Sequence, residues 1–167
     1  AGVLPGPFET EDDVFGRELR RQLRELGVDE AGMAVQPRQF DTVTYGKRYG
    51  ADAEEPRIDF GFFNQSSEES DRAILAHFRR ALDECDAVVF NQQVPGGLSD
   101  AFLGGLNALV DACPRAVVVC DSRHYGARIA NVHRKTNDIE AARLGGGPPD
   151  QTVHPPLPDL EAFASRL

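Results

Sequence analysis

The chain reads as an α/β protein built on a parallel sheet, and three observations predict it. Ala116–Cys120 is a continuous, β-branched apolar run, short enough to be a strand buried on both faces. A second run, Ala87–Phe90, is separated from it by an amphipathic helical stretch, and strands alternating with helices of about ten residues give parallel sheets with right-handed crossovers. Both runs end in polar residues, Asn91-Gln92-Gln93 and Asp121-Ser122-Arg123. Ligands of open α/β sheets sit beyond the carboxyl ends of the strands, so chemistry is expected there.

At 167 residues, 41% hydrophobic and 27% charged, the chain is long enough for one ordinary domain with its own core. The net charge of −9 argues against a nucleic-acid surface, because the arginines are scattered among acids rather than clustered. No apolar run is long enough to cross a bilayer, so no membrane is expected. The start, AGVLPGPFETEDD, is neither basic nor followed by an apolar core, so it is not read as a signal peptide, and the cytoplasm is expected. Cys85, Cys113 and Cys120 lie in or beside apolar segments without paired spacing, which predicts reduced core residues.

In chain order, Ala1–Glu9 reads as an irregular lead-in. Thr10 with Asp13 has capping-box spacing, and Val14, Phe15, Leu19, Leu23 and Leu26 share one face of a helix ended by Gly27. The opposite face, in RELRRQLRE, is a solvated surface of neighbouring Glu and Arg. Met33–Val35 fits a short strand. Phe40–Tyr49 and Arg57–Phe63, around the polar turn Gly50–Pro56, fit a β-ribbon. In it, Arg57 and Asp59 have the spacing of a same-face ion pair, and Phe60, Phe62 and Phe63 need a partner surface. Ser66 with Glu69 predicts the start of a helix whose inner stripe is Ile74, Leu75, Phe78 and Leu82. Ser99 caps the next, with Phe102, Leu103, Leu106 and Val110 inward. After the second strand comes Lys135-Thr136-Asn137-Asp138-Ile139-Glu140 and a short helical pattern that ends in three glycines. The Gly/Pro-rich stretch 145–158 follows, and Asp159 is placed to cap a terminal helix with Leu160, Phe163 and Leu167 on one side.

The order of apolar strand, Asp121-Ser122-Arg123-His124, short basic linker, Lys135-Thr136-Asn137 and Glu140 resembles the PfkB or ribokinase-like family of carbohydrate kinases, most of all the branch that contains heptose kinases. That family usually has Lys-Pro-Asn-x-x-Glu, with proline where this chain has Thr136. The resemblance extends back through VDEAGMAVQPRQFDTVTYGKRYG, RIDFGFFNQ and AVVFNQQVPGG, covers most of Val14–Leu144, and corresponds to the middle of a complete family member.

The resemblance implies a ribokinase-like three-layer α/β/α fold with a β-ribbon lid, incomplete at both ends. Residues 1–167 form one partial domain: 40–63 the ribbon, 64–144 the α/β part, 145–158 the connection and 159–167 the last helix. It implies transfer of the ATP γ-phosphate to a sugar hydroxyl, of a heptose or related carbohydrate, with Mg²⁺. Asn137 and Glu140 would place Mg²⁺ and the nucleotide phosphates, and Lys135 would offset phosphate charge. Arg57, Asp59, Asn91, Gln93, Asp121 and Arg123 would lie on the sugar side. The ribbon would close over the sugar and join two copies in a homodimer; separately, a sheet cut at both ends exposes edges that seek a partner, through a dimer or a domain swap.

Local readings stand beside these. Asn137 with Glu140 is itself a capping box, Asp121 and Arg123 have the spacing to pair with each other, and Lys135 reads equally as a solvated lysine. No catalytic residue is assigned. The family's base is an Asp in Gly-Ala-Gly-Asp, which the sequence lacks, and Gly145-Gly146-Gly147 runs into Pro148-Pro149, which remove the N–H groups of an anion hole. The family's amino-terminal sugar-binding glycine and asparagine pattern and a Walker loop are absent too. Little or no kinase activity is therefore expected of residues 1–167, and a non-catalytic domain for dimerisation or partner binding is the rival. His77, His124, His133 and His154 lack zinc-site spacing, no Gly-x-Ser-x-Gly elbow occurs, and Cys120 reads as a core thiol.

Overall fold

The computed structural model describes residues 2–5 (as backbone), 13–36, 38–50, 53–61, 64–93, 97–148, 150 and 152–166. Thr10, Phe62, Phe63, Pro149, Leu167 and the 94–96 part of the loop after the first core strand lie outside them. The chain divides into two compact units, residues 1–81 with 94–105, and residues 82–93 with 106–167.

In the first unit β1 (Gly2–Pro5) pairs in parallel with β2 (Met33–Gln36). The stretch expected as an irregular lead-in therefore contains a strand, because backbone pairing carries it whatever its prolines and glycines suggest. Helix α1 (Val14–Glu25) is capped by Asp13, which accepts from Gly16 N at 3.0 Å. Its expected apolar stripe is largely open: Val14, Phe15 and Leu26 are all exposed. The polar face is as expected, with Arg21 between Glu18 and Glu25, and Glu30 holding both Arg20 and Arg24.

Strands β3 (Thr44–Gly46) and β4 (Ile58–Phe60) form the antiparallel ribbon, shorter than the sequence suggests, with a further bridge between Tyr49 and Glu54. Helix α2 (Glu68–Glu84) is capped by Ser67, whose Oγ accepts from Ser70 N at 3.1 Å. Ser66, expected in that role, donates to the Gly97 carbonyl instead. Among the described residues of this unit, the buried apolar ones are Ala34, Phe78, Phe102 and Leu103.

The second unit holds a parallel sheet, β5-β6-β7, made of β5 (Ala87–Gln92), β6 (Val117–Ser122) and the two-residue β7 (His133–Arg134). Helix α3 (Asp100–Ala112), capped by Ser99 as expected, makes the crossover between β5 and β6. Both long strands run past their apolar residues, taking in Asn91 and Gln92 on one and Asp121 and Ser122 on the other. They are not buried on both faces. Val118 and Cys120 are covered, whereas Val117 is 44% and Val89 66% exposed, so the sheet has one packed and one open face.

Leu82, Leu106, Val110, Ile129, Ala141 and Ala142 are buried in this unit as well. Helix α4 (Asp138–Leu144) ends at Gly145, as the glycine run predicts. Helix α5 (Leu157–Ala164) starts before Asp159, with Pro156 at the N-cap position, because proline's fixed φ suits a helix start. Gly145 lets α5 come close: a Cβ there would lie 2.6 Å from the Phe163 carbonyl oxygen. The cysteines are all unbridged, but only Cys120 is a core residue; Cys113 is half-buried and Cys85 exposed, at chain ends of helices rather than inside strands. Among the described residues no helix is long and apolar enough to cross a membrane.

Candidate functional site

Parallel pairing puts the carboxyl ends of β5, β6 and β7 side by side, with Asn91 opposite Asp121 and Gln92 opposite Ser122. The chain leaving β7 stays bound to β6 through Lys135 N, which donates to the Cys120 carbonyl at 2.9 Å. Asn91, Gln93, Asp121 and Lys135 are thereby brought together.

Asp121 is their hub. Lys135 Nζ lies 2.9 Å from Oδ2, and Gln93 Nε2 donates to Oδ1 at 3.1 Å, to the Asp121 carbonyl at 3.3 Å and to Asn91 Oδ1 at 2.8 Å. The Lys135 ammonium, with the Gln93 amide, holds the half-buried carboxyl below its usual range, against desolvation that pushes the other way. A carboxylate held that way is a poor proton acceptor near neutrality. Arg123, considered from its spacing as the partner of Asp121, is not the one paired. Its backbone N–H donates to the Gln92 carbonyl and its side chain is exposed. Lys135 is the partner because β7 returns the chain alongside β6, and spacing along the sequence cannot reveal that.

Beside these residues is a second set to which sequence reasoning gave no role. The buried Gln92 accepts from Ser122 Oγ at 2.9 Å and from His124 N at 3.4 Å, and Ser122 Oγ accepts from Tyr125 N at 3.0 Å. Arg134 donates to the carbonyls of Gly126 and Ile129, which fixes the turn before β7. A polar Gln-Ser pair directly after two apolar runs was the only available signal for Gln92 and Ser122. Nothing in a basic linker announces Arg134.

At the start of α4 Asn137 Oδ1 accepts from Glu140 N at 2.8 Å and Glu140 Oε2 accepts from Asn137 N at 3.0 Å, a complete capping box. Glu140 Oε1 takes no part in it. Mg²⁺ binds through one or two carboxylates together with phosphate oxygens and water, and the remaining Glu140 oxygen with the second lone pair of Asn137 Oδ1 fits such partial coordination. Among the described residues no three His, Cys, Asp or Glu side chains are grouped to hold a metal by themselves.

In the other unit Arg57 and Asp59 form a two-pronged pair, Nε to Oδ1 at 2.5 Å and Nη2 to Oδ2 at 2.7 Å. The guanidinium also stacks 4.4 Å from the ring centre of Tyr45, which stands opposite Asp59 across the ribbon. On the reverse face Phe60 meets Phe15 with ring centres 5.5 Å apart, while Ile58 remains 58% exposed.

Among solved structures, ribokinase from Giardia lamblia matches 97% of this chain, using 46% of its own length, with a TM-score of 0.62 and 14% identity. The chain has a ribokinase-like fold. Phosphofructokinase-2 from Escherichia coli, in complex with fructose-6-phosphate, matches 98% of the ribokinase-like chain and 50% of its own length, with a TM-score of 0.59 and 17% identity. By sequence, the bifunctional protein HldE of Wolinella succinogenes is 26% identical over 129 residues, 74% of this chain and 27% of HldE. The ribokinase-like chain thus spans about a quarter of that relative and about half of the two structures. No protein-family model matches it. The solved structures bear out the ribokinase-like fold, and HldE is the relative that the sequence itself reaches.

Proposed function

We propose that residues 1–167 are one partial ribokinase-like domain of a PfkB-type carbohydrate kinase, which transfers the ATP γ-phosphate to a sugar hydroxyl, the sugar being a heptose or a related carbohydrate, in the cytoplasm. Asn137, Glu140 and Lys135 serve the nucleotide phosphates and Mg²⁺, and Asn91, Gln93, Asp121, Arg123, Arg57 and Asp59 serve the sugar. The observation that carries this reading is the convergence of Asn91, Gln93, Asp121 and Lys135 at the carboxyl ends of three parallel strands, beside a helix that opens on Asn137 and Glu140. Phosphoryl transfer is mostly positioning and charge stabilisation, which such a set supports without a base of its own. These residues alone turn over little or no substrate, because the sequence has no Gly-Ala-Gly-Asp.

The test is calorimetric titration with ATP and Mg²⁺, repeated on Asn137→Ala and Glu140→Ala. Heat of binding is expected from the parent chain and lost in both variants while their circular dichroism stays native. A folded parent chain that takes up no nucleotide refutes the reading. It would favour a second one, a non-catalytic domain for dimerisation or partner binding, which the closed capping box and the exposed Ile58 and Phe60 of the ribbon support. A homodimer through the ribbon belongs to both readings.

A further inference from the structure

The carboxyl ends of the strands carry the candidate site, yet the second unit also has a cavity at their opposite ends. It measures about 500 Å³, and Leu82, Asp83, Cys85, Asp86, Cys113 and Arg115 are among the residues that line it. Strands of six residues separate it from the candidate site by roughly 20 Å. Two of the three cysteines open into it. Cys85 directly follows α2 and is exposed; Cys113 directly follows α3 and is half-buried.

The backbone brings these two helix ends together. Ala87 stands opposite Val117 at the first rung of the β5–β6 ladder, and Val117 N donates to the Asp86 carbonyl at 3.4 Å. Ala116 N donates to the Cys113 carbonyl at 3.1 Å, which folds Cys113 back toward the same rung. The Cys113 sulfur lies 3.9 Å from Asp83 Oδ1, at the last turn of α2, two residues before Cys85. Cys120, buried within β6, shares none of this.

We propose that Cys85 and Cys113 are a peroxide-reactive dithiol that closes to a reversible disulfide. The exposed Cys85 meets the oxidant first. Its thiolate attacks one peroxide oxygen, the O–O bond breaks, and a sulfenic acid and one water result. The Cys113 thiolate then attacks the Cys85 sulfur, the S–S bond forms as the S–O bond breaks, and the hydroxyl leaves as a second water with the proton that Cys113 gave up. Two thiols lose two electrons in all, and one peroxide is reduced to two waters. Asp83, whose carboxylate accepts from the Cys113 thiol, is placed to relay that proton to the departing hydroxyl. The bridge would fasten the ends of α2 and α3 at the amino edge of the sheet and leave the candidate site uncovered.

The experiment oxidises the reduced 167-residue chain with excess hydrogen peroxide at pH 8, blocks the remaining thiols by alkylation and maps the peptides without reductant. A cross-linked Cys85–Cys113 peptide, two hydrogens lighter than its reduced parts and released by dithiothreitol, is expected. Cys85→Ser and Cys113→Ser should each abolish it and Cys120→Ser should not, with near-ultraviolet circular dichroism reporting that each variant is folded. The proposal is overturned if the folded chain accumulates sulfinic or sulfonic acid at Cys85 while Cys113 remains alkylatable. It is equally overturned if the bridge forms only in urea or only between molecules.

Discussion

Gln36 is 4% exposed and makes three hydrogen bonds at the root of the ribbon. Its Nε2 donates to the carbonyls of Arg38 at 2.8 Å and Gln65 at 2.7 Å, and its Oε1 accepts from Ser67 N at 2.8 Å. It therefore ties the chain entering the ribbon to the chain leaving it and to the cap of α2. Gln36→Met keeps the length and apolar volume of the side chain but strands two carbonyls and one amide. At about 0.5–1.5 kcal/mol net for each bond, the loss is about 1.5–4.5 kcal/mol, toward the top if water cannot reach the stranded groups. Urea unfolding should show this as a lower midpoint with unchanged slope. Hydrogen exchange adds the location: amides of Tyr45 and Asp59 should lose protection before those of Val118 and Cys120. At one decade per about 1.4 kcal/mol, the loss corresponds to opening roughly 10- to 1000-fold more frequent. A change below about 0.5 kcal/mol with ribbon protection intact would refute the reasoning, since surface substitutions stay within that range.

The folded-state pKa of Asp121 is depressed, so its pairing stabilises the fold above the unfolded carboxyl value of about 3.9 and is lost as pH falls through the lower folded value. Asp121→Asn should therefore flatten the acid limb of stability below about pH 4 in a pH series of urea midpoints. Gly145→Ala drives a methyl against the Phe163 backbone, which cannot rotate away as a side chain would, and should undock α5 at a cost of about 1–3 kcal/mol; limited proteolysis after residue 145 reads it out. Phe102 is 2% exposed, so Phe102→Ala should remove about 3–5 kcal/mol in chemical denaturation.

What the sequence discloses depends on whether a signal is local. The pair of apolar runs and the stripe of Phe102, Leu103, Leu106 and Val110 announce β5, α3 and β6 because burial leaves a compositional mark. So does the Arg57–Asp59 pair, since residues two apart on a strand share a face. The extension of β5 and β6 into Asn91–Gln92 and Asp121–Ser122 rests on backbone hydrogen bonds that polar residues make equally well. Strand β7 is two basic residues whose identity as strand comes wholly from its neighbour. The partnership of Asp121 with Lys135 depends on that unannounced strand, so the polar strand ends were legible and the bonds between them were not. Local apolarity also overstated burial, at Val89 and at Leu26, where the covering element must come from elsewhere in space.

The reciprocal bonds that open α4 make its first turn a two-state element. Anything that needs both the Asn137 and the Glu140 side chains free must draw on the minority of molecules in which the box is undone. With a cap worth about 1 kcal/mol, that minority is roughly one molecule in six, and the apparent affinity falls by the same factor. A ligand that is content with the outer Glu140 oxygen escapes the penalty. Helix order and grip on a ligand are thus opposed at this turn, and conditions that fray α4 without unfolding the sheet raise the population ready to bind.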